Sequence, residues 1–140
     1  MDSRIKIEQK QKSLYRENKE LINEFTNYLA DSSPRVQKHA IENADDFLNE
    51  FLANNYAENY LDGVGRLEEY FGSYCINKLV LTSETAMRLA TGDIKKLYKF
   101  LYDSGRISKE LCDAVCYDIK LGLADWIDDL DNSFILRPDI

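Results

Sequence analysis

Apolar side chains recur at steps of three and four residues along almost the whole chain, and little in the sequence interrupts them. That period places them on one face of a helix. Leu14, Leu21, Ile22, Phe25 and Leu29 mark a first helix from Ser3 to Ala30. Ser33 followed by Pro34 reads as an N-cap with proline in the first turn, where its missing N–H costs nothing. The second helix runs from Pro34 to Asn54, with Val36, Ala40, Ala44, Phe47, Leu48, Phe51 and Leu52 as its stripe. A helical turn over Ala57–Leu61 ends near Gly63. A helix from Gly65 to Leu79 follows, with Leu67, Phe71, Tyr74, Cys75 and Leu79 inward.

Thr82 or Ser83 caps a further helix to Asp103, whose stripe is Met87, Ala90, Ile94, Leu97, Tyr98 and Leu101. Gly92 lies inside it, as a kink or a point of close packing. Ser104-Gly105 reads as its stop, and Ser108 caps the last helix. Leu111, Val115, Ile119, Leu123, Trp126, Ile127 and Leu130 form the buried face of that helix. Only two prolines and six glycines occur in 140 residues, which suits long helices rather than a turn-rich sheet protein. The expected fold class is all-α: a single-domain bundle of five to six helices spanning residues 1–140.

Several chemistries lack their parts. His39 is the single histidine and is read as lying off the apolar stripe on the exposed side of the second helix, so no nucleophile–histidine pair is expected. Neither a GxxxxGK nor a GxGxxG loop is present to cradle phosphate. Cys112 and Cys116, four apart, could hold half of a zinc site, but no second pair accompanies them, and they read as small buried side chains. The acidic run Asp125, Asp128, Asp129 and Asp131 does not match a helix–loop–helix calcium site, because the sixth and twelfth positions from Asp129 are Phe134 and Ile140. No catalytic residue, metal or cofactor is expected.

No stretch reaches the roughly 18–20 apolar residues of a membrane span, and residues 1–12 do not read as a signal peptide. Cys75, Cys112 and Cys116 read as reduced thiols, so the expected setting is the cytoplasm. The net charge is −7, but it is uneven. Residues 41–75 hold one basic and eight acidic side chains, whereas residues 76–110 hold seven basic and four acidic. Alternation of this kind can give one basic face on an acidic protein.

Two segments together resemble a known family. Ser33-Pro34-Arg35-Val36-Gln37-Lys38, running on through Asp46-Phe47-Leu48-Asn49-Glu50-Phe51-Leu52, is similar to the opening helices of tyrosine recombinases (phage integrases), and Leu21–Leu29 matches the helix before them. Thr82-Ser83-Glu84-Thr85-Ala86, Ile94–Leu101 and Gly105-Arg106-Ile107 resemble a later helix of the same domain. The resemblance covers residues 21–107 and implies the N-terminal, SAM-like core-binding domain that clamps DNA. Beyond it, residues 108–131 form an additional acidic helix and residues 132–140 an extended tail. Ser108-Lys109-Glu110 stands where the linker to a catalytic domain would open, so the resemblance implies the fold without recombinase chemistry.

Two roles follow. In the first, the chain is a non-catalytic module that binds DNA or a DNA-bound protein through Arg35, Lys38, Arg88, Lys95, Lys96, Lys99, Arg106 and Lys109. In the second, the acidic stretches Glu42–Glu69 and Asp113–Asp131, with their tyrosines, contact a basic protein partner or a second copy of the chain. Neither role involves a membrane.

Overall fold

The computed structural model describes residues 2–135, and every regular element among them is helical. The chain, expected as one domain, divides into two compact units, residues 1–63 and 64–140.

The first unit is a helical hairpin. Helix α1 (Ser3–Tyr28) starts at Asp2, whose carboxylate accepts from the Arg4 N–H at 3.0 Å. Its residues before Gln11 are exposed, and Leu14, Leu21 and Phe25 form its buried stripe. Ser33 caps α2 (Pro34–Asp45) as expected, its hydroxyl accepting from the Val36 N–H at 3.2 Å. The expected helix to Asn54 does not keep one geometry. At Asp46 it passes into a π segment, π1 (Asp46–Ala53), then returns to α over Asn54–Tyr56. The wider π turns bury Phe47, Leu48, Phe51, Leu52 and Ala53 together, and each large side chain contributes about 1.5–3 kcal/mol. Both α2 and π1 pack on α1.

The wider turn disturbs the regular carbonyl ladder, and amide side chains from α1 reach into it. Asn18 is 2% exposed and donates to the Leu48 carbonyl at 3.2 Å and the Asn49 Oδ1 at 2.7 Å. Gln11 donates to the Ala53 and Asn54 carbonyls at 3.3 and 2.9 Å. The run stops at Ala57, which takes a left-handed conformation (φ 52°) and packs with Leu14 and Ala53. His39 is half-buried on α2 rather than exposed, because the arc of α2 turned toward α1 is wider than the apolar stripe alone.

In the second unit, the helix expected over Gly65–Leu79 is a broken helical run. A 3-10 turn (Val64–Arg66) leads into an α-turn (Leu67–Glu69), a second π segment, π2 (Tyr70–Tyr74), and a final α-turn (Cys75–Asn77). Leu67, Phe71 and Cys75 are buried as expected, and Tyr74 is half-buried. Leu79 is not inward. The helix has ended before it, and Leu79 takes a left-handed φ of 55° with its side chain 48% exposed.

Helix α3 (Glu84–Asp103) is capped by Ser83, and its expected stripe is buried throughout. A methyl group placed at Gly92 would meet nothing within 4 Å, so Gly92 is neither a packing contact nor a break in α3. The helix stops at Gly105 (φ 79°), where the Arg106 N–H donates to Leu101 at 2.8 Å and the Gly105 N–H to Tyr102 at 2.9 Å. That pair is a Schellman stop. Ser108 then caps α4 (Lys109–Ile135), accepting from the Leu111 N–H at 3.1 Å.

Helix α4 packs along α3 and also on π2. Val115, Ile119, Trp126, Ile127 and Leu130 are buried, while Leu111 and Leu123 are half-buried. The helix runs past Asp131 to Ile135, so the first part of the expected extended tail is helical, and Pro138 lies outside the described residues.

Candidate nucleic-acid interface

Helices α3 and α4 leave a groove between them in the second unit, with a volume of about 340 Å³. From α3 it takes Lys95, Lys96, Lys99 and Tyr102, and from α4 it takes Lys109, Cys112, Asp113 and Cys116. Both sets follow from helix geometry. Positions 95, 99 and 102, like positions 109, 112 or 113, and 116, are spaced by one turn and share a face. The sequence puts lysines on the α3 face next to its apolar stripe, and closure of the α3–α4 pair brings Lys109 to the same rim.

Four of the eight expected basic residues therefore line one groove: Lys95, Lys96, Lys99 and Lys109. The other four do not line it. Arg88 pairs with Glu84 one turn earlier on α3 at 3.3 Å. Arg106 lies over the Phe100 ring, 5.5 Å from its centre. Arg35 and Lys38 are exposed on α2, in the first unit. Within the groove, Lys96 also faces the buried Asp93 carboxylate at 3.8 Å, so its charge is partly balanced. Lys109 stands in the first turn of α4, where the unpaired N–H groups and the helix dipole add positive potential.

The floor is less polar than the rim. Cys112 is buried and Cys116 half-buried. Burial foremost, then the neighbouring Cys116 and Asp113, holds the Cys112 thiol above its ordinary range. Cys112 is therefore a neutral thiol at physiological pH, and the one carboxylate lining the groove is that of Asp113. Tyr102, at 40% exposure, flanks it. Sequence reasoning missed Tyr102 and treated the cysteines only as core or half of a metal site. The signal was present in the 95–99–102 step, which continues the lysine face onto an aromatic residue.

A second groove of about 380 Å³ lies against the other side of α4. Glu68, Asp118 and Asp125 bring carboxylates to it, and Leu121 adds an exposed apolar side chain. Trp126 underlies it. The ring is 1% exposed, stacks on Phe71 at 5.0 Å and donates its indole N–H to Glu68 Oε2 at 2.8 Å. It passes so close to Gly122 that an added Cβ there would sit 2.3 Å from the ring. Tyr70 and Tyr74 stack on one another at 5.7 Å, and Tyr70 is buried.

Among the described residues, no three histidine, cysteine or carboxylate side chains form a group that could hold a metal ion. No helix among them is long and apolar enough to cross a membrane. No family model, curated protein or solved structure matches the chain.

Proposed function

We propose that the chain is a non-catalytic helical module that binds DNA or a DNA-bound complex, with the phosphate backbone received by the lysines between α3 and α4. The observation that carries this reading is the gathering of Lys95, Lys96, Lys99 and Lys109 around one groove of an otherwise acidic protein. Cations in one concave site act jointly on a polyanion, whereas the same number scattered over an acidic surface would be offset locally. The resemblance of residues 21–107 to integrase core-binding domains points the same way. In that family a helical bundle clamps DNA, and contacts to the phosphate backbone position a protein without reading sequence.

The test is charge reversal. Lys95→Glu with Lys99→Glu is expected to weaken binding of a fluorescent oligonucleotide strongly, while Arg88→Glu is expected to leave most of it. Equal losses from the two changes would contradict the assignment to this groove.

A second reading rests on the carboxylate-lined groove over Trp126. Glu68, Asp118 and Asp125 around an apolar base suit a lysine- or arginine-bearing segment of a protein partner or of a second copy. Asp118→Lys with Asp125→Lys would then remove capture of that partner and leave oligonucleotide binding intact.

A further inference from the structure

We infer that the α3–α4 groove takes single-stranded nucleic acid in preference to duplex, with one base seated on the Tyr102–Cys116 floor while the flanking phosphates lie against the lysine rim. The inference deepens the reading of the chain as a nucleic-acid-binding module and rests on it. Three observations favour a strand whose bases are unpaired. First, the rim and the floor differ in chemistry. The groove carries the ammonium groups of Lys95, Lys96, Lys99 and Lys109 against the single carboxylate of Asp113, and beside them an aromatic ring and two thiols. A duplex offers a protein mainly phosphates and stacked base edges, so it would use the rim and leave the floor uncovered. A single strand offers a charged backbone and free base faces within one nucleotide of each other, which matches both parts of the groove.

Second, the size fits. A volume of about 340 Å³ is near the lower end of the roughly 300–1,000 Å³ range of ligand pockets. It suits a base with its sugar and is small for a peptide helix, which would need an open trough along both helices. Third, the floor is held in place. Cys112 is buried, and Tyr102 belongs to the last turn of α3, fixed by the Schellman stop at Gly105. A ring carried on an ordered helix end costs less to position on binding than one carried on a loose segment.

The experiment uses the full chain and a labelled oligonucleotide of mixed sequence, as a single strand and annealed to its complement, followed by fluorescence anisotropy at low salt. The single strand is expected to bind about tenfold or more tightly than the duplex. Tyr102→Ala is expected to cost about tenfold for the single strand and little for the duplex, and Tyr102→Phe to retain affinity. Tyr102 is exposed, so these variants keep the fold, which circular dichroism checks. Saturating single strand is also expected to slow alkylation of Cys116.

Duplex binding as tight as single-strand binding would overturn the inference while leaving the module's nucleic-acid role standing. The same holds if Tyr102→Ala weakens both alike. Absence of binding to either form would overturn the inference together with the reading beneath it. Capture of an acidic peptide in place of any oligonucleotide would do so too.

Discussion

Asn18 occupies the middle of α1, where asparagine is a poor helix former because its short amide competes for backbone partners. Here the amide is turned away from its own helix and donates to the Leu48 carbonyl and the Asn49 side chain in π1. Asn18→Ala removes a donor from the buried Leu48 carbonyl and the part-buried Asn49 side chain, and is expected to lower unfolding free energy by about 1–3 kcal/mol, as read by urea denaturation. Asn18 was not legible in the sequence as a structural residue, since its partners in π1 lie 30 and 31 positions away. Cys112 illustrates the converse case. Its place on a buried face was legible, and its titration follows from that place. Because burial raises the thiol pKa in the folded chain, the folded state holds its proton more tightly than the unfolded state. Stability is therefore unaffected at neutral pH and declines as pH rises past about 8.5, the ordinary thiol value. Denaturation midpoints measured across that range are expected to fall, and Cys112→Ala to reduce the slope.

At the level of elements, the apolar period located all the long helices and most of their caps. Ser33, Ser83 and Ser108 each accept the N–H three residues on, as the sequence implied. The period did not distinguish α from π. The positions 47, 48, 51 and 52 are consistent with either, and only the packing of a wide apolar arc against α1 decides. Nor did it show where the run before α3 stops. Leu79 looks like one more core position, yet the chain must reverse there, and a leucine takes a conformation that glycine adopts without cost. Leu79→Gly relieves about 1–2 kcal/mol of left-handed strain against about 0.5–1 kcal/mol of added chain entropy, and is expected to raise the thermal midpoint slightly. Gly92 differs in kind. It lies in an unkinked helix with open space beside it, so Gly92→Ala is expected to stabilise α3 by about 1 kcal/mol. Gly122 should respond oppositely. The Trp126 ring fills the space its side chain would need, and Gly122→Ala is expected to cost about 1–3 kcal/mol and to shift the tryptophan emission.

For the molecule as a whole, charge is the property on which the proposed role rests. The alternation of basic and acidic quarters was visible in the sequence, and so was the list of basic residues. What could not be read was which of them share a surface, because that depends on how α3 and α4 turn about their common axis. Their closure gathers Lys95, Lys96, Lys99 and Lys109, while Arg88 and Arg106 are engaged along or beside α3 and do not line the groove. A cluster of four cations has a quantitative signature, since each phosphate neutralised releases condensed counterion. The most direct measurement is the affinity for a single-stranded oligonucleotide as salt is raised from about 50 to 200 mM. A slope of log affinity against log salt of about −3, flattened by Lys95→Glu with Lys99→Glu, is the predicted result. A slope near zero, or one that those substitutions leave unchanged, would contradict the account.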